Sequence, residues 1–207
     1  MQDIVIVDYG MGNVRSVQKA LEHVAPNDNI LLTDNAELIA NADRVVFPGQ
    51  GAIGACMQAL NKHNLVKVIK QSATEKPFLG ICLGLQLLFD HSQENSGVKG
   101  LSIFAGDVVH FPKNTLKIPH MGWNTVQQTS EHPLWHNINN NARFYSVHSY
   151  FVTTHDTSII TGTSNYGVDF TCAVAKDNLF AVQFHPEKSQ HDGLQLLQNF
   201  TNWQVSS

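Results

Sequence analysis

The reading of this chain turns on Pro77-Phe78-Leu79-Gly80-Ile81-Cys82-Leu83-Gly84-Leu85-Gln86. A short apolar run ends on a cysteine, and Leu83, Leu87 and Leu88 continue at helical spacing as far as Phe89. That pattern predicts a strand, a sharp turn and a helix from Leu83 to Phe89, with Cys82 on the turn. It is the cysteine counterpart of the G-x-S-x-G nucleophile elbow. So tight a turn crowds the residues two before and two after the nucleophile, so glycine is expected at both, here Gly80 and Gly84. A sulfur at a helix N-terminus meets free N–H groups and the positive end of the dipole, which favour thiolate over thiol. The Leu83 N–H points to where an oxyanion would form. A lone cysteine in an apolar segment is most often a small core residue. The flanking glycines and the strand-to-helix context reverse that preference.

Outward from the elbow, the N-terminal half alternates strand and helix. Ile4 to Val7, Asn29 to Leu32 and Arg44 to Phe47 read as buried strands; Val14 to Val24, Asp34 to Asn41 and Ala52 to Gln71 read as helices. The βα order predicts an open, parallel, doubly wound sheet with helices on both faces, whose ligands bind at the carboxyl ends of the strands. The turn Asp8 to Asn13 lacks the third glycine of a dinucleotide fingerprint, with Arg15 in its place, so it reads as a plain βα turn in which Asn13 can cap the helix. Pro48-Gly49-Gln50-Gly51 lies at a strand end, where two glycines let backbone N–H groups turn toward the crevice.

Beyond Gly97 the periodicity changes. Val108 to Phe111, Trp123 to Val126, Arg143 to Phe151, Ser158 to Thr161, Phe170 to Ala175 and Phe180 to Phe184 are β-branched or aromatic runs separated by turns, a smaller antiparallel β section. A final helix is expected from His191 to Trp203. With 207 residues and 43% hydrophobic content, the chain is long enough for one domain over 1–207. No window approaches a membrane span and no signal pattern opens the chain, which points to the cytosol. Cys56, Cys82 and Cys172 are too widely spaced for a metal site or a disulfide framework. A net charge of −4 with dispersed Lys and Arg does not resemble a nucleic-acid face.

A nucleophile needs a base, and His185-Pro186-Glu187 offers one. The residue before proline is pushed to extended geometry, where i and i+2 face the same way. Glu187 can then fix the tautomer of His185 while the other ring nitrogen faces a thiol.

Together, Gly80 to Gln86 and His185-Pro186-Glu187 resemble the class I (triad) glutamine amidotransferases, over the whole chain. Three further stretches carry the likeness: Asp8 to Asn13, Pro119 to Asn124, and Lys188-Ser189. The resemblance implies release of ammonia from glutamine and its transfer to a synthase, with the HisF cyclase, a (β/α)8 barrel, as heterodimer partner and no metal or organic cofactor. It implies Cys82 as nucleophile, His185 as general base and acid, and Glu187 as its orienter. Gly49, Gln50, Gly51 and Leu83 would form the oxyanion hole. Gln86, Glu94, His148 and Ser149 would contact glutamine. Asn13, Met121, Trp123, Tyr145 and Lys188 would face the cyclase. The family usually has Val where this chain has Gln50, in a loop thought to switch its peptide; an unbranched side chain there is expected to let the hole form more readily. Competing readings are a glutaminase for another synthase, of anthranilate or pyridoxal phosphate type, a free-standing cysteine hydrolase, and a non-catalytic binding module.

Overall fold

The computed structural model describes residues 1–113 and 116–205. Its elements begin with β1 (Asp3–Val7), α1 (Val14–Val24), β2 (Asn29–Thr33), α2 (Ala36–Asn41), β3 (Arg44–Gly49), α3 (Ile53–Lys62), α4 (Val66–Glu75), β4 (Phe78–Cys82) and α5 (Leu83–Gln86). They continue with β5 (Phe89–Ser92), β6 (Val98–Lys99), β7 (Phe104–His110), β8 (His120–Thr125), β9 (Gln127–Gln128), β10 (Arg143–His148) and β11 (Tyr150–Thr153). The last are β12 (Ile160–Asn165), β13 (Asp169–Lys176), β14 (Leu179–Val182) and α6 (Gln190–Asn202).

The main sheet runs β2-β1-β3-β4-β14-β13-β11-β7-β5-β6. Its β2-to-β14 half is parallel throughout. From β14 to β7 the pairs are antiparallel. A separate hairpin-like ribbon joins β8 and β10. Alternation along β1 explains the layering. Ile4 and Ile6 pack into a core with Val17, Leu21, Leu197 and Phe200, on the α1 and α6 side. Val5 and Val7 face the opposite core, with Ile39, Ile53, Leu60 and Ile69 from α2, α3 and α4. Successive side chains of a strand point to opposite faces, so a continuous apolar run is what a sheet covered on both sides requires. The doubly wound architecture with its antiparallel extension is as expected.

Four local expectations need correction. The helix expected from Ala52 to Gln71 is two helices, because Asn64 takes a left-handed φ of 56° that closes α3; asparagine tolerates that conformation better than most residues. The helix after the elbow is one turn, not a run to Phe89, since the chain turns out into β5, a strand absent from the sequence reading. Arg143 to Phe151 is not one strand: it breaks at Ser149, pairing with β8 before the break and with β7 after it. Asn13 precedes α1 without capping it; its Nδ2 donates to Ser16 Oγ at 2.7 Å instead.

Candidate active site

Three adjacent parallel strands end at one edge. The register sets Gly49 of β3 beside Cys82 of β4, and Val182 of β14 beside Ile81. Cys82, the residue following Val182, and the loop after Gly49 therefore meet without any long excursion of the chain.

Cys82 has φ 56° and ψ −110°, a conformation rare for a residue with a side chain. Such strain survives where surrounding contacts over-determine it, and the two glycines supply those contacts. A Cβ on Gly80 would lie 2.9 Å from Ala181 Cβ and 3.3 Å from the Gly84 carbonyl carbon, and one on Gly84 would collide with the Phe47 carbonyl oxygen. The crowding expected two residues either side of Cys82 is present. Leu83 opens α5, so its N–H has no acceptor within the helix.

His185 follows β14 in extended geometry, and its Nδ1 lies 2.9 Å from Glu187 Oε1. Glu187 is not extended, as the sequence suggested, but sits in a single 3-10 turn with Pro186 at its first position. The turn still brings the carboxylate back to the ring. The side chains are 3% and 1% exposed. Among the described residues, the buried side-chain polar atoms without a partner are Ser72 Oγ, His185 Nε2 and Glu187 Oε2. Two of the three belong to this pair, and orphaned buried polar atoms of this kind cluster at working sites. Burial opposes a charged ring at His185. The Cys82 sulfur, by charge and by hydrogen bonding, and then the Glu187 carboxylate outweigh it, so its pKa is raised from 6.5 to about 10. Since Nε2 has no partner in good hydrogen-bonding geometry, charge carries most of that interaction.

Ser189 fixes where the ring stands. Its Oγ donates to the His185 carbonyl at 2.6 Å and accepts the Tyr145 N–H at 2.9 Å, while the His185 N–H donates to the Tyr145 carbonyl at 2.8 Å.

A cleft of about 380 Å³ is lined by Gln50, Gly51, Cys82, Leu83, Glu94, His148, Ser149, Tyr150, His185 and Lys188. Gln86 also lines it, its Nε2 donating to the Tyr150 carbonyl at 3.0 Å and to Gln183 Oε1 at 3.0 Å. Glu94 Oε2 accepts the Ile53 N–H at 2.9 Å, capping α3, which has no capping side chain of its own. The Pro48 to Gly51 loop is braced by two side chains: Tyr9 Oη donates to the Pro48 carbonyl at 3.0 Å, and Cys56 Sγ to the Gln50 carbonyl at 3.4 Å. Burial raises the Cys56 thiol to about 11 and the Cys172 thiol further, which suits both as core residues.

Next to the cleft, β8 and β10 present an apolar face. Met121 is 62% exposed and Trp123 38%. Trp123 pairs with Tyr145 in the ladder, their rings 6.3 Å apart edge to face, and Lys188 Nζ lies 5.9 Å from the Tyr145 ring. Four of the five residues expected at an interface are thus close together; Asn13 is exposed ahead of α1. The sequence reading gave no role to Gln183 or to the Ser189 side chain, while Tyr150 closes the segment Val147 to Tyr150 expected to hold substrate through backbone groups. Gln183 alone had a signal: it is a polar residue in the apolar run Phe180 to Phe184, two before His185.

The family model for class-I glutamine amidotransferases matches residues 5–203. The HisH subunit of imidazole glycerol phosphate synthase from Hydrogenovibrio crunogenus is 58% identical over 204 residues, covering 97% of this chain and 96% of that protein. The HisH subunit from Dechloromonas aromatica is 54% identical over 211 residues, covering 98% and 97%. Two solved structures share the fold. PurLQS from Thermotoga maritima has a TM-score of 0.73 at 16% identity, covering 98% of this chain and 99% of that one. The glutaminase domain of Trypanosoma brucei CTPS has a TM-score of 0.67 at 17% identity, covering 100% and 96%.

Proposed function

The chain belongs to the class-I glutamine amidotransferases, in their HisH branch, and from that premise we propose that it hydrolyses glutamine on Cys82 and delivers the ammonia to a HisF cyclase. The cyclase forms imidazole glycerol phosphate and AICAR in histidine biosynthesis. We read residues 1–207 as one amidotransferase domain working in the cytoplasm. The observation that carries the proposal is the buried His185–Glu187 pair, 2.9 Å apart, on the wall of the cleft that holds Cys82.

The raised pKa of His185 supports an imidazolium at rest beside Cys82. The Cys82 thiolate attacks the side-chain amide carbon of glutamine. The oxyanion is held by the Leu83 N–H and the Gly49 to Gly51 loop; a lost donor in such a hole costs about 100- to 1000-fold in rate. Collapse expels the amide nitrogen, which takes the His185 proton and leaves as ammonia, with a γ-glutamyl thioester on Cys82. Neutral His185 then takes a proton from water, the hydroxide attacks the thioester, and collapse returns the thiolate and releases glutamate. Gln86, Glu94, His148 and Ser149 hold the substrate. The exposed Met121 and Trp123, with Tyr145 and Lys188, dock the cyclase beside the cleft mouth, with Asn13 at the margin; a docked partner keeps ammonia from bulk water.

Reconstitution with the cyclase tests this. Cys82→Ser abolishes glutamine-dependent synthesis and leaves synthesis from ammonium salts intact. Glutamine-dependent turnover surviving in that variant would overturn the assignment.

A further inference from the structure

We propose that Gln183 is a positioning residue for the nucleophile, its side-chain amide donating to the Cys82 sulfur and holding it ready as thiolate. The inference rests on Cys82 being the nucleophile of the proposed glutaminase. Gln183 stands one step past Val182, which is level with Ile81, and so arrives beside Cys82. It is 0% exposed, and its Nε2 lies 3.8 Å from Sγ.

The direction of that bond is set by a carbonyl. The Tyr150 oxygen can only accept, so the group of Gln86 that faces it at 3.0 Å is the NH2. The same Nε2 donates its other hydrogen to Gln183 Oε1 at 3.0 Å. With its oxygen committed there, Gln183 turns its own NH2 to the sulfur. Reversing Gln86 sets its oxygen against the Tyr150 carbonyl, and reversing Gln183 alone sets its NH2 against that of Gln86, either of which leaves buried polar groups unsatisfied at a cost.

The donor is needed because the elbow helix is short. A four-residue α5 carries little of the dipole that a longer helix would direct at Cys82. His185 brings charge, but its Nε2 has no partner in good hydrogen-bonding geometry. The neutral amide of Gln183 favours the anionic sulfur both at rest and when the thioester expels it, without competing for the Glu187 carboxylate.

The test is the pH dependence of Cys82 alkylation by iodoacetamide on the full chain, with the modified peptide identified by mass. The high-lying Cys56 and Cys172 thiols stay unmodified. Gln183→Met keeps the length and removes the donor. Its alkylation midpoint should rise by roughly one pH unit, a rate near neutrality about tenfold lower. Gln183→Glu, near-isosteric and able to accept from Gln86, sets an anion against the sulfur and should shift the midpoint further. A midpoint unchanged in both variants overturns the proposal, even if their turnover is impaired. Alkylation needs no glutamine, so a shifted midpoint in a chain that does not hydrolyse glutamine would uphold Gln183's role at the sulfur and reject the glutaminase reading alone.

Discussion

Two buried histidines line one cleft, His185 on the wall that follows β14 and His148 on the wall that ends β10, and one is held protonated while the other is held neutral. His185 has Glu187 at 2.9 Å and the Cys82 sulfur nearby, and its pKa is raised to about 10. His148 has no anion for a partner. Its Nδ1 donates to the Tyr150 carbonyl at 2.8 Å, and its Nε2 accepts from His120 Nδ1 at 2.9 Å. Burial lowers its pKa to about 3; the bond to the Tyr150 carbonyl opposes this, and the charges of His120 and His185 add to it. His120, stacked on Tyr166 at 4.1 Å, is lowered to about 4 by burial. Loss of hydration is common to both walls, so the sign of the shift is decided by whether an anion stands within reach. The carbonyl also sets the proton order of the second wall: His148 Nδ1–H, then His120 Nδ1–H, with His120 Nε2 left to accept from Asn124 Nδ2 at 3.3 Å. The wall at His185 favours a charged ring, and the wall at His148 and His120 keeps two neutral rings on the β8–β10 ribbon.

The contrast breaks most directly at Glu187. Glu187→Gln keeps the shape and removes the anion, so glutamine hydrolysis by the reconstituted complex should fall by about 10³- to 10⁴-fold, the size seen when a triad loses its orienting carboxylate. A loss below tenfold would mean that burial and Cys82 alone set the state of His185.

The second measurement is stability against pH, by denaturant unfolding. His148 and His120 are lowered, so between about pH 6.5 and 4 the unfolded chain binds protons that the folded chain refuses, and stability drops as pH falls. Each contributes a slope of up to about 1.4 kcal/mol per pH unit. The raised pKa of His185 works the other way: its contribution is full below about 6.5 and is lost as pH rises through about 10. His148→Gln should flatten the acid limb and leave the alkaline limb in place. An acid limb of unchanged slope would show that His148 is not neutral in the fold.

The smallest effect lies in the loop after β3. Gln50→Val restores a β-branched residue beside the carbonyl that Cys56 holds. Hydrolysis by the isolated chain should drop a fewfold, while the cyclase complex changes less. Equal rates with and without the Gln50→Val substitution would remove any role for side-chain stiffness in forming the hole.

Much of this was legible in the residues, because much of it is short-range sterics. Gly80 and Gly84 are required within three residues of a strained cysteine, and Pro186 sets the backbone of His185, so the elbow and the His185–Glu187 pair could be read before any fold was known. Alternating apolar strands and amphipathic helices carried the doubly wound sheet for the same reason: each periodicity is a local statement about which faces are buried. The helix break at Asn64, the single turn of α5 and the split at Ser149 were not legible, since each depends on what the chain packs against next. The Gln86–Gln183 bond spans 97 residues and takes its direction from a backbone carbonyl on a third element. What the sequence determined by itself was which groups could react; the tertiary structure alone decided their partners, and with them which histidine carries charge, because a buried group's proton is held or refused by neighbours that only packing brings near.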